Sequence, residues 1–169
     1  VPVDFGGTTV TGMHVSCVTA LREYYGLDRH PVKVIELGQC LGEIEEDLKE
    51  LLGLDVDAVT RPRSKWGYPN ADWKPWRMPD GLEVLAPGGY AYTVDTNGDI
   101  LIHPQGDLSA PPIARMPNDG YFFDSIIRQE PIDEDKLDPA DNLEEFGPVP
   151  DEDFAAMKEM IARSKAKGR

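Results

Sequence analysis

The first 25 residues constrain the fold more than any other stretch. Val1, Val3 and Phe5 alternate with Pro2 and Asp4, the period of a strand with one covered face. The alternation runs into Gly6-Gly7, and a glycine turn lets the backbone come close to another segment or to a ligand. Thr8 to Gly12 is a Thr/Gly-rich loop. From His14 to Tyr25 the apolar spacing becomes helical, with Val15, Val18, Leu21 and Tyr25 on one face and Gly26 placed to end the helix. Strand, glycine loop and helix in this order predict an α/β chain whose strands are joined by helical crossovers and run parallel.

The next 35 residues extend the expectation. Val32 to Ile35 is a short β-branched run. Gln39 to Leu52 reads as the clearest helix, with Leu41, Ile44, Leu48, Leu51 and Leu52 as its apolar stripe. The acidic Glu43 to Glu50 side chains fall largely off that stripe and read as a solvated face. Gly53 is a plausible stop, and Val56 to Val59 is a further strand candidate.

The middle changes character. Arg61 to Pro79 holds Trp66, Trp73 and Trp76 among several prolines. These rings form either an aromatic wall for a flat ligand or partner, or the small core of an irregular insertion. Tyr90 to Pro104 predicts a β-hairpin around Asn97-Gly98, a pair that tolerates positive φ. Ser109 to Pro117 is too proline-rich to expect regular structure, and aromatic residues resume from Gly120 to Ile127. An acidic, proline-rich connector spans Glu130 to Asp153. Asp151 then caps a last helix with Phe154, Met157 and Ile161 inward, and the basic tail Arg163 to Arg169 suits its carboxyl end.

Charge and length exclude several classes. The net charge is −14, from 31 acidic and 17 basic residues, which opposes binding to nucleic acid or to an anionic membrane surface. No apolar run approaches the roughly 20 residues of a helical membrane span. Two cysteines, Cys17 and Cys40, make no disulfide framework and suit a reduced, cytoplasmic setting. The chain has 169 residues, whereas a closed (β/α)8 barrel takes roughly 250.

Four stretches together resemble the uroporphyrinogen decarboxylase-like superfamily. VPVDFGGTTVTGMH (Val1 to His14) looks like its first barrel strand and loop. QCLGEIEEDLKELLGLDVDAV (Gln39 to Val59) looks like the next helix and strand. SAPPIARMPNDGYFFDSI (Ser109 to Ile126) looks like the end of the β-insertion in its methyltransferase-like members, and Asp151 to Arg169 like the helix leading to the following strand. The resemblance covers nearly the whole chain and only the front of the family's barrel. It implies an α/β fold, the N-terminal portion of a (β/α)8 TIM-like barrel with a β-hairpin insertion. Residues 1–60 would form the first barrel units, 61–127 the insertion, 128–150 the connector and 151–169 the helix into the next unit.

The decarboxylases of that superfamily carry an arginine-rich signature after the first strand. The loop from Gly6 to His14 contains no arginine, so the resemblance is closer to the corrinoid-dependent methyltransferase branch. It implies transfer of a methyl group between a small donor, a corrinoid protein and a thiol or cofactor acceptor. A cofactor-free decarboxylase of the same fold is the alternative, and a non-catalytic module binding a protein through the tryptophan-rich insertion is another. Zinc in this family is held by a His-x-Cys and a later Cys. No His-x-Cys occurs here, so no cofactor is expected in this chain, while zinc and a corrinoid partner are expected for a full-length enzyme. A barrel portion leaves open sheet edges, so the chain is expected to oligomerise or to be completed by another chain.

The candidate substrate-binding residues are Asp4, Thr8, His14 and Arg115; no catalytic residue is assigned. Asp4 stands at the carboxyl end of the first strand, the active-site end of a barrel. It either lines the pocket or accepts hydrogen bonds from its own glycine turn. Thr8, with Thr9 and Thr11, either binds substrate or shapes the loop. His14 opens the first helix, where it either touches substrate and moves a proton or simply packs. His14 and Cys17 have the spacing of two ligands on one helical turn, but two ligands do not make a zinc site. Arg115 either binds an anionic group or satisfies loop carbonyls.

Overall fold

A computed structural model describes residues 1–128, 133–138 and 148–169. Helix α1 (Val15–Tyr24) forms where the helical spacing predicts it, and Gly26 follows with φ +69°. Val15 and Val18 are buried; so is Arg22, one turn further along the same face. Tyr25 is exposed instead, because Arg22 takes the inward place and pairs there with Asp47 and Glu45.

The chain then makes a short antiparallel pair, β1 (Val34–Glu36) with β2 (Leu41–Gly42). The helix expected over Gln39 to Leu52 is therefore much shorter: α2 runs over Glu46–Leu52. Two features of the packed chain explain the correction. Cys40 takes φ +52°, which interrupts a helix, and Gly42 pairs with Val34 while lying against α1, where a Cβ would sit 3.0 Å from the Val15 Cα. The apolar stripe is buried in part: Leu41, Ile44 and Leu48 enter the core, Leu52 packs against it and Leu51 is exposed. The stripe's spacing is satisfied by a strand, a turn and two turns of helix.

Two further expectations from the front of the chain are corrected. Val1 to Phe5 and Val56 to Val59 form no strands, and Val1, Val3, Phe5 and Val59 are exposed. The two segments nevertheless lie side by side. The Asp55 N–H donates to the Val3 carbonyl at 3.0 Å, and the Val3 N–H donates to Asp55 Oδ2 at 2.9 Å. A strand pattern without a continuous ladder partner stays irregular.

The β-rich middle follows. β3 (Lys74–Arg77) pairs antiparallel with β4 (Glu83–Ala86). β5 (Tyr92–Val94), β6 (Ile100–Ile102), β7 (Ala114–Met116) and β8 (Asp124–Ser125) form an antiparallel meander in chain order. The predicted hairpin is present, but its turn differs from the expectation. Only Gly98 has positive φ; Asp95 organises the loop by accepting from the Asn97 and Asp99 N–H groups through Oδ1.

β7 contradicts the reading of Ser109 to Pro117 as irregular. Pro111, Pro112 and Pro117 flank the strand without entering it, and Ala114 to Met116 is free to pair on both edges. Ile100 lies opposite Met116 and Ile102 opposite Ala114, and all four are buried. Burying such side chains stabilises the fold by about 1.5–3 kcal/mol each for the larger ones.

The fold is thus mixed α/β. Every strand pair in the described residues is antiparallel, and the sole parallel contact is an isolated bridge between Lys33 and Leu85. The expected parallel order does not appear. One hydrophobic cluster runs from Val15, Val18 and Leu48 to Trp66, Trp76, Met116 and Phe123, so the front and the β-rich middle share a core.

Helix α3 (Asp151–Ala166) closes the chain. Its expected inner face is wrong: Phe154 and Ile161 are exposed, while Asp153 is buried and Met157 and Met160 are half-buried. Asp153 turns inward because Arg63 meets its carboxylate at 3.2 Å. Asp151 is the first helical residue rather than the cap, which is Pro150. Of the expected connector, 129–132 and 139–147 lie outside the described residues.

Candidate functional site

The principal cleft, of about 490 Å3, lies where the Gly6-Gly7 loop, β1, α2, residues 57–62 and α3 meet. Gly6 and Gly7 form one wall by backbone. A Cβ on Gly7 would sit 3.0 Å from the Val56 carbonyl, so the loop approaches that segment closely and a side chain there would push it back. Trp73 supplies an aromatic surface, half-buried, with Lys33 Nζ 5.8 Å from its ring centroid.

Charge is the cleft's second feature. Lys33, Lys49, Arg61, Arg163 and Lys167 line it, against the carboxylates Glu43, Glu46 and Asp57. Lys33 pairs with Glu43 at 2.8 Å, Lys167 with Glu46 at 2.9 Å and Lys49 with Asp57 at 2.5 Å. Arg169 reaches Glu46 at 2.9 Å from the carboxyl end. The Lys167 contact, joined by Arg169 and Lys49, holds the Glu46 carboxyl below its ordinary range despite some desolvation. At Asp57 burial alone would raise the pKa, but Lys49, Ser164 and Arg169 together outweigh it and hold it low. Arg61 and Arg163 have no ion-pair or hydrogen-bond partner among the described residues. Asn70 also lines the wall: its Nδ2 donates to the Ile35 carbonyl at 3.3 Å, and its buried Oδ1 has no partner among the described residues.

The four sequence-predicted residues do not assemble into one pocket. Asp4 accepts from the Gly7 N–H at 2.9 Å through Oδ1 and from the Thr11 hydroxyl at 2.8 Å through Oδ2. Thr8 Oγ1 accepts from the Val10 and Thr11 N–H groups, each at 3.2 Å. Both side chains therefore shape the loop whose Gly6, Gly7 and Thr9 line the cleft. His14 caps α1. Its Nδ1 accepts from the Ser16 N–H and meets the Ser16 hydroxyl at 2.7 Å, and its ring packs edge-on to Tyr121 and Phe122. Its buried Nε2 has no partner among the described residues, and the ring lies outside the cleft lining. Arg115 belongs to β7, where it pairs with the buried Asp99, whose Oδ1 also accepts from the Asn118 N–H.

No protein-family model, curated protein or solved structure matches the chain. The cleft is therefore read from its own geometry. Among the described residues no group of three or more His, Cys, Asp or Glu side chains is placed to hold a metal ion. Cys17 is exposed and Cys40 buried, and burial, helped by Glu36 and Asp80, pushes the Cys40 thiol up to about 12. A thiol held protonated is a poor ligand. These residues do not fit a zinc site. No helix among the described residues is long and apolar enough to cross a membrane.

The sequence reading missed Arg61, Asn70, Trp73 and Arg163 as lining residues. A weak signal existed for the first: Arg61-Pro62-Arg63 is a basic run in a strongly acidic chain. Of the tryptophans, Trp66 and Trp76 are core residues, with Trp66 against Phe123 and Trp76 against Tyr90, and Trp73 alone reaches the cleft.

Proposed function

We propose that this chain is the front portion of a uroporphyrinogen decarboxylase-like TIM-barrel enzyme, of the corrinoid-dependent methyltransferase branch, and that the cleft is part of its small-molecule pocket. One observation carries the reading. The Gly6-Gly7 loop and residues 60–62, which the resemblance sets after the first two barrel strands, meet at one cleft. In barrel enzymes the loops after the strands build the active site. The hydrogen bonds between Val3 and Asp55 further support it, because they hold the two strand-patterned segments as neighbours.

In this reading Asp4 and Thr8 hold the loop, and Gly6, Gly7, Thr9 and Trp73 bound the substrate's space. Zinc would come from another part of the enzyme and would favour the thiolate of an acceptor. A corrinoid protein is the expected partner and the cytoplasm the expected compartment. The test is an assay of the complete gene product for methyl transfer from a methylated corrinoid to a thiol, followed in the corrinoid's visible spectrum. Transfer that stops on zinc chelation is the expected result. Carbon dioxide release from a carboxylic acid, without methyl transfer, would establish the second reading, a cofactor-free decarboxylase. Arg61 and Arg163 favour that alternative, since a carboxylate substrate needs such cations.

A further inference from the structure

The two arginines at the cleft have a meaning of their own. In a chain with 31 acidic and 17 basic residues, a guanidinium has many carboxylates to choose from. The other cations of this cleft have found theirs: Lys33, Lys49 and Lys167 are each paired within 2.9 Å. Arg61 and Arg163 approach the same cleft from different elements, the segment after α2 and helix α3, and neither is paired among the described residues. Cations outnumber carboxylates on this lining, against the sign of the whole molecule. Guanidinium groups match carboxylate and phosphate oxygens in planar, two-point contacts. Trp73 adds a ring face to the same wall.

We propose that the cleft takes a small ligand with an anionic group, carboxylate or phosphate, joined to a flat ring, with Arg61 and Arg163 on the anion and Trp73 against the ring. This deepens the small-molecule reading of the cleft and rests on it. The anion supplies the counter-charge that the described residues do not. The ring gains an apolar and stacking contact that a bare anion lacks. Lys33 beside Trp73 further disfavours a cationic ligand.

The experiment is calorimetric titration of the protein with benzoate, phenyl phosphate, inorganic phosphate and benzyl alcohol, at low and at high salt. Benzoate or phenyl phosphate is expected to bind saturably, and the better of the two identifies the anion. Benzyl alcohol, the ring without charge, is expected to bind at least tenfold more weakly. The R61Q/R163Q double variant is expected to lose at least tenfold in affinity for the anions, and W73L to erase the advantage of phenyl phosphate over inorganic phosphate. Both arginines are exposed and unpaired among the described residues, so their replacement is expected to leave the fold intact, which circular dichroism checks. Equal binding of benzyl alcohol and benzoate, unchanged affinity in R61Q/R163Q, or no binding of either anion would overturn the proposal. Methyl transfer by the complete gene product without anion binding here would sink this inference and spare the enzyme reading. Anion binding without any turnover would do the reverse.

Discussion

The β5–β8 meander and the segments at the front of the chain carry similar alternating patterns, and they end differently. Ile100, Ile102, Ala114 and Met116 alternate inward on two paired strands, and each of those strands has a neighbour on both edges. Val1, Val3 and Phe5 alternate just as regularly, yet they stay exposed and make no ladder. The pattern sets which face would be buried; a partner edge decides whether a strand forms. The attachments differ too. The meander is tied to the common core by apolar burial, whereas α3 is docked largely through ion pairs: Arg63 with Glu152 and Asp153, and Lys167 and Arg169 with Glu46. Apolar attachment resists salt and acid, and ionic attachment does not.

The largest effect should come from the meander. Ile102→Ala, at a fully buried position, is expected to cost about 2–5 kcal/mol in urea unfolding, whereas Val3→Ala should stay within about 0.5 kcal/mol. Equal losses at the two sites would erase the contrast. Next comes Arg115→Ala, which leaves the buried Asp99 carboxylate with the Asn118 N–H as its remaining partner among the described residues. The expected loss is about 1–3 kcal/mol, with ligand binding at the cleft unchanged.

A smaller effect concerns α3. Glu46 and Asp57 are held below their ordinary pKa in the folded chain. The stabilisation is therefore present above the unfolded carboxylate range and is lost as pH falls through the lower folded values, below about pH 4. Hydrogen exchange should show α3 loosening in that window, and also at high salt near neutral pH, while the meander stays protected. Glu46→Gln should cost only about 0.2–1 kcal/mol for each exposed pair it breaks. The smallest effect is chemical. At pH 8 a disulfide reagent should modify Cys17 rapidly and leave Cys40 intact, because the Cys40 thiol is buried with its pKa pushed to about 12. Modification of both at equal rates would show that the core opens readily.

These contrasts also mark what the sequence could reveal. Helix α1, the Gly53 stop, the hairpin at Asn97-Gly98 and the extent of α3 are legible because they depend on local spacing and local turn chemistry. The shortened α2 is not, because Cys40 at φ +52° and the close fit of Gly42 against α1 are tertiary facts. β7 was hidden by its flanking prolines. The inner face of α3 was misread because an ion pair with Arg63, distant in sequence, drew in Asp153 rather than an apolar residue. At the site, Gly6-Gly7 was legible as a close-approach loop. Arg61, Asn70, Trp73 and Arg163 were not, since three stretches far apart in sequence bring them to one cleft.

The proposed function makes one structural demand: Val1 to Phe5 and Val56 to Val59, irregular here, would pair as neighbouring strands in a complete barrel. Hydrogen exchange on this chain and on the complete gene product tests it most directly. The account predicts fast exchange of the Val3 to Phe5 and Val56 to Val59 amides in the chain alone, slowed at least a hundredfold in the complete protein, with the β5–β8 amides protected in both. Equally fast exchange of the two front segments in both proteins would contradict it.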